Sequence, residues 1–209
     1  HWAEGRRAFG TRLIEQPLMR AVLADLALDW EGALALGLRV ARAFDAGEGP
    51  FARVGVALAK YLSNKRCPGL VYEAMEALGG IGYVEDTPLP MLYREAPLNA
   101  IWEGSGNVIC LDVLRTLAKV PDAAAALDAE LDAAAGGDAR YDAALAEHRA
   151  RWPARPEEAE ARWFCERLAV LLTASVLLRQ APAAVAGGYV ATRVAGERGS
   201  VAGAVRGLD

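Results

Sequence analysis

Very little in this 209-residue chain points to a metal, a disulfide framework or a membrane. It has three cysteines, Cys67, Cys110 and Cys165, and two histidines. The cysteines are odd in number and far apart, no Cys/His cluster has zinc-ligand spacing, and no disulfide pattern is implied. That usage fits a reducing cytoplasm. Long apolar runs are missing too. The longest, Leu168 to Leu178, is closed off by Arg167 and Arg179, well short of the roughly 20 residues a membrane-spanning helix needs. No signal peptide is visible. Nor is there an excess of positive charge: 23 Lys+Arg stand against 27 Asp+Glu, a net −4. A uniformly basic nucleic-acid binder is thereby excluded, although a local basic face is not. No segment alternates apolar and polar residues as a strand would, so the reading is all-α.

What the chain does have is apolar mass, 54% of its residues, enough for one sizeable domain or two small ones. From Leu13 to Phe44 apolar residues recur every three or four positions: Ile14, Leu18, Val22, Leu26, Trp30, Ala33, Gly37, Val40 and Phe44. This predicts one long helix with that face buried, starting near Pro17, where proline suits a first turn. Gly47 to Pro50 ends it. A second helix is expected over 53–78, kinked or interrupted at Cys67-Pro68-Gly69 and stopped by Gly79-Gly80. Residues 81–102, with Pro88, Pro90 and Pro97, read as an irregular connection. A third helix starts at Ser105 or Asn107, both good N-caps, and runs to about Lys119, with Val108, Leu111 and Leu114 on one face. Beyond Pro121 the reading gives a helix over 122–135, one capped by Asp138 and running to Arg149, one over 157–180 burying Trp163, Leu168, Leu171, Leu172 and Leu178, and a short one over 183–194. A glycine-rich end from Gly196 reads as frayed.

Three clusters can carry chemistry. Arg6-Arg7-Ala8-Phe9-Gly10, followed by Gln16, places guanidinium groups just before a helix, where they suit phosphate; a solvated basic turn is the plainer reading. Gly79-Gly80-Ile81-Gly82-Tyr83 allows a ligand close to the backbone, yet glycines also simply end helices, and without a preceding strand this is no dinucleotide fingerprint. Trp102-Glu103-Gly104-Ser105-Gly106-Asn107 sets a carboxylate between an aromatic and glycines before a helix N-terminus. Desolvated by Trp102 and an apolar ligand, Glu103 would be a stronger base; alternatively it only complements the helix dipole.

Order and spacing of the three clusters resemble the C-terminal helical domain of the acyl-CoA dehydrogenase family over about residues 1–119. Arg6 to Gly10 match the family's R-x-x-F-G, Gly79 to Tyr83 its Gly-Gly-x-Gly-aromatic turn, and Trp102 to Ser105 its aromatic-Glu-Gly-Ser/Thr loop. Ile14 to Arg20, Glu73 to Glu76, Tyr93 to Asn99, Trp102 to Asn107 and Leu111 to Arg115 look more narrowly like the AidB branch, DNA-alkylation-response flavoproteins that carry a helical extension. The resemblance implies a helical bundle over 1–120 with an extension over 121–209 packed on it. It also implies FAD as cofactor and dehydrogenation beside the thioester carbonyl of an acyl-CoA, with Glu103 as the base. Arg6 would contact the FAD pyrophosphate, typically that of a neighbouring subunit, and Phe9 and Gln16 would be among the cofactor-binding residues. Gly79 and Gly80 would lie along its adenosine part, Ser105 and Asn107 near the cofactor, and Arg115 toward the active-site region. A homo-oligomer, a tetramer in the family, is implied as well. Two departures stand out: Glu76 replaces the family's glutamine before the glycines, and Gln16 sits one residue early.

Further expectations follow from the resemblance. The flavin ring would be held by upstream dehydrogenase domains, so His1 reads as a cut and the isolated chain should bind FAD weakly. The AidB branch is described as binding duplex DNA through its C-terminal region. Residues 140–209 carry ten arginines against eight acids, with Arg193 and Arg198 the candidates for phosphate contact; a solvated helix surface is the plainer reading. A DNA-binding protective protein with little turnover, or a helical oligomerisation module, are the competing functions.

Overall fold

A computed structural model describes residues 1–208. A short turn of helix, α1 (Trp2–Gly5), leads into a two-strand hairpin, β1 (Arg7–Ala8) and β2 (Thr11–Arg12), paired antiparallel with Arg7 opposite Arg12. Two long helices follow, α2 (Pro17–Asp45) and α3 (Gly49–Leu78), then the short α4 (Gly80–Tyr83) and α5 (Leu89–Glu95), a 3-10 turn over Ala96–Ala100, and α6 (Gly106–Lys119). Beyond these lie α7 (Pro121–Asp132), α8 (Ala139–Arg151), α9 (Ala161–Gln180), α10 (Ala183–Tyr189) and a π-type turn over Val190–Val194. The all-α reading holds, with two-residue strands the exception. Residues 81–102 are more helical than expected, because Pro88 and Pro90 sit at a helix start, where a missing N–H costs nothing.

Several local signals act as read. Pro17 is the first residue of α2. Gly79 closes α3 at φ +69°. The Asp138 carboxylate accepts from the Arg140 N–H to cap α8. Pro68, by contrast, does not interrupt α3, which runs unbroken for 30 residues. Proline removes one backbone donor, and the flanking turns are tied down independently: Asn64 to the Asn99 carbonyl at 2.8 Å and Arg66 to Asp29 at 3.0 Å. The C-terminal end is not frayed either. Arg198 pairs with Val205 as a β-bridge, and the Gly203 N–H donates to Asp25 at 2.9 Å.

The inward stripe of α2 shares only Val40 with the expected one. Leu28, Gly32, Leu36, Val40 and Ala43 face inward together with Asp25 and Arg39. Leu18, Trp30 and Phe44 are exposed, Leu18 by 84%. The centre of the fold is α9: residues 168–177 are all buried, as befits a helix that is apolar all round. It packs on α2, α3, α6, α7 and α8, so one core runs through both sides of Pro121. Trp163, expected inside, is half exposed beneath the Arg151 guanidinium, 4.4 Å from its ring centre. Polar ties reinforce the seam: Arg39 of α2 donates to Glu130 of α7 at 3.0 and 2.8 Å and to Glu48 at 2.7 Å. Arg179 of α9 binds the same Glu130. Burial pushes the Glu130 carboxyl up, but these two guanidiniums outweigh it and hold it below its ordinary range.

Candidate functional site

Glu103 stands on the loop between the 3-10 turn and α6, and its backbone is left-handed at φ +52°. A residue with a Cβ seldom takes that conformation. Gly104 follows at φ +108°, and Gly106 lies so close to Lys65 that an added Cβ would stand 2.8 Å from its Cε. The small residues all lie on the C-terminal side of Glu103, whose other neighbour is Trp102, and it is Gly104, by its backbone angle, that most needs to be glycine. Ser105 occupies the N-cap position of α6 without a side-chain cap bond.

The carboxylate borders a groove of about 560 Å³ between α3 and α6. Val56 and Ala57 of α3 line it with Val108 and Leu111 of α6. Val108 and Leu111 share a face as read, and that face is exposed to the groove, while Ile109, Cys110 and Val113 take the inward positions. The groove holds a second carboxylate, Asp112, which is differently placed. Arg53 grips it with two parallel bonds of 2.8 and 2.9 Å, and Arg115 binds it from the next turn. These partners hold Asp112 below the ordinary carboxylate range, Arg53 first among them, against its partial burial. Glu103 has no ion-pair partner among the described residues.

A second groove, of about 440 Å³, brings Arg6 together with Gly79, Gly80, Ile81 and Glu76. Two clusters 70 positions apart in the chain thus share one surface. The Arg6 guanidinium has no ion-pair partner among the described residues. No neighbouring atom lies within 4 Å of a Cβ placed on Gly79 or Gly80, so the backbone is open on that side. Gly82 differs: its Cβ would meet the Met75 carbonyl oxygen at 2.3 Å, and it is there for packing. Phe9 sits at the hairpin tip, 98% exposed at φ +53°. Gln16 points back to the hairpin and donates to the Ala8 carbonyl at 2.9 Å. Asn107 accepts weakly from Arg162 of α9 at 3.4 Å.

Among the arginines of the extension, Arg193 needs correction as a phosphate contact. Its side chain is buried and bound to Asp25 and Asp29. Arg198 is partly exposed and pairs with Asp25 at 3.2 Å. Arg140, Arg149, Arg151, Arg167 and Arg179 are also engaged by carboxylates, which leaves little free positive charge for a polyanion. No metal-ligand cluster occurs among the described residues, and no helix is long and apolar enough to cross a membrane. Sequence reasoning missed Lys60, Arg53 and Asp112. Each lies on a helix whose apolar pattern carries no mark of them, and only the α3–α6 packing brings them to Glu103.

A helical bundle that displays one unpaired carboxylate between a tryptophan and a glycine-rich turn, over an apolar groove, defines the class. The family model described as "Acyl-CoA dehydrogenase, C-terminal domain" matches residues 1–118, and the chain belongs to the acyl-CoA dehydrogenase family. Among relatives, it is 55% identical over 121 residues to AidB of Escherichia coli (strain K12), a match covering 56% of this chain and 22% of AidB. Its fold matches the crystal structure of Caenorhabditis elegans ACDH-11 in complex with C11-CoA at a TM-score of 0.74 and 23% identity, covering 92% of this chain and 38% of that one. It also matches an acyl-CoA dehydrogenase from Bacillus anthracis complexed with FAD, at 0.64 and 17%, covering 91% and 39%. The chain thus spans about a fifth of AidB's length and under two-fifths of either structure.

Proposed function

We propose that this chain is the helical C-terminal part of an FAD-dependent flavoprotein that introduces an α,β double bond into an acyl-CoA thioester, with Glu103 as the base. The observation that carries this is the contrast within one groove between a carboxylate spent on two arginines, Asp112, and one left free, Glu103. Glu103 takes the proton from the carbon next to the thioester carbonyl, and the apolar wall of Val56, Ala57, Val108 and Leu111 excludes water from that transfer. Bound FAD supplies the acceptor for the hydride that leaves the β carbon.

The residues of the second groove fit such a group. Arg6 offers unpaired planar donors suited to pyrophosphate, and Gly79-Gly80 offer backbone with nothing on its open side. Glu76 on the same surface has to point away from any phosphate. Trp30, Leu34, Leu38 and Phe44 fall on one side of α2 at helical spacing and are all exposed, more than a scatter of single surface residues, which supports assembly with a second copy of the protein.

The test is Glu103→Gln in the full-length protein. Acyl-CoA-driven bleaching of the flavin is expected to vanish while FAD content stays unchanged. Bleaching at the normal rate would remove Glu103 as the base.

A further inference from the structure

The geometry points to Lys60 of α3 as the positioning residue that holds the Glu103 loop in its working conformation; this rests on the reading of Glu103 as the base. The Lys60 ammonium donates to the carbonyl oxygens of Trp102 at 2.7 Å, Glu103 at 3.0 Å and Gly104 at 3.3 Å. An ammonium has three donors, and three successive carbonyls use all of them. One turn further along the same helix face, Asn64 holds the Asn99 carbonyl at 2.8 Å, so positions i and i+4 of α3 grip both ends of the segment.

Three carbonyl dipoles turned toward one point repel one another unless a cation sits there. Turning them there is what places Glu103 at φ +52° and Gly104 at φ +108°. Lys60 therefore compensates a backbone arrangement that the loop would not adopt alone, and that arrangement sets where the Glu103 carboxylate enters the groove. Lys60 does not exchange a proton with the substrate; it acts through the base. Loss of the clamp displaces the carboxylate, and a misplacement of about 1 Å costs on the order of 10²-fold in rate.

The experiment compares Lys60→Met, Lys60→Arg and Glu103→Gln in the full-length flavoprotein. It measures the rate of acyl-CoA-driven flavin bleaching and the amide hydrogen exchange of Ile101, Trp102 and Ile109, whose N–H groups are bonded to Leu98 and Ser105. For Lys60→Met, the bleaching rate is expected to fall by about 10²-fold with half-saturating thioester little changed. The three loop amides should exchange faster while those of α2 keep their protection. Lys60→Arg keeps the charge but cannot aim three donors from one atom, so it should fall between the two. Should the Met protein not fold, Lys60→Gln replaces it with the same expectations. Wild-type loop exchange and rate in Lys60→Met would overturn the clamp. So would equal losses in the Met and Arg variants that track a global fall in Tm with no selective change in the loop. Glu103→Gln separates the two readings. Normal bleaching there defeats the base assignment, while the loop amides of the Lys60 variants still decide the clamp by themselves.

Discussion

Asp25 and Arg193, 168 positions apart, form an ion pair in which neither side chain is more than 1% exposed. Arg193 also donates to the Asp25 carbonyl at 2.7 Å and to Asp29 at 3.1 Å, and the tail closes over the pair through Gly203 and Arg198. A buried pair of this kind adds little over apolar residues, but removing Arg193 leaves the buried Asp25 charge with only Arg198 and the Gly203 N–H. Arg193→Met should therefore cost about 3–5 kcal/mol in urea unfolding, and Asp25→Asn with Arg193→Met should recover much of it. A single-variant loss under about 1 kcal/mol would mean that Asp25 finds water or another partner. Loss of DNA binding in an Arg193 variant would report unfolding of this seam rather than a lost phosphate contact.

The two adjacent glycines at the end of α3 separate strain from ligand approach. Gly79 stands at φ +69°, ψ −149°, nearly exclusive to glycine, and Gly79→Ala should cost about 1–3 kcal/mol. Gly80 has no positive φ and no neighbour within 4 Å of an added Cβ. In the first turn of α4, Gly80→Ala should leave stability unchanged or raise it by a few tenths of a kcal/mol. If FAD approaches this backbone, Gly80→Ala in the full-length protein weakens FAD binding without any loss of Tm in the apoprotein. Unchanged FAD affinity, read by fluorescence titration of the apoprotein, would place the cofactor elsewhere.

Much of the fold and part of the site were legible in the chain. Pro17, Gly79 and Asp138 act locally, through a fixed φ, a left-handed cap and a side-chain acceptor, and they mark helix ends wherever they occur. The clusters around Arg6, Gly79 and Glu103 were found for the same reason, since each is contiguous. The buried face of α2 was not. Its inward stripe includes Asp25 and Arg39, which look like solvent-facing residues until Arg193 and Glu130 arrive from 168 and 91 positions away. Lys60 was invisible on similar grounds: a lysine on a helix is ordinarily solvated, and its three acceptors lie more than 40 positions away. Apolar pattern cannot tell a face that packs within the chain from one left exposed, and α2 carries apolar residues on both.

That distinction is measurable. Leu36 is buried between α2 and the core, and Leu36→Ala should cost about 2–5 kcal/mol. Leu38→Ala and Phe44→Ala, on the exposed side of α2, should change unfolding free energy by less than about 0.5 kcal/mol. In the full-length protein the same two substitutions should weaken self-association, followed by sedimentation at graded concentration. Self-association identical to wild type would assign the stripe to something other than a second copy.

His148 gives the acid response of the extension a defined window. Its ring lies 5.0 Å from Trp152 and 5.1 Å from Phe164, centre to centre, and its Nδ1 is buried with no partner among the described residues. Burial, with Arg167 and Arg149 adding repulsion, pushes the imidazole from its ordinary 6.5 down to about 4. Below pH 6.5 the unfolded chain accepts a proton that the folded ring refuses, so stability falls as pH drops from about 6.5 to about 4 and this contribution levels off below that. The loss amounts to roughly 3 kcal/mol at about 1.4 kcal/mol per unit. Asp112 and Asp138 are held low by arginines, Arg53 and Arg140 foremost, and their contributions fade only below the ordinary carboxylate range, under this window. Thermal unfolding should therefore show Tm level above pH 7 and declining from pH 6.5 to 4.5. His148→Phe, which keeps the aromatic contacts and removes the titrating group, should flatten that decline. An equally steep decline in the variant would move the acid sensitivity to another group.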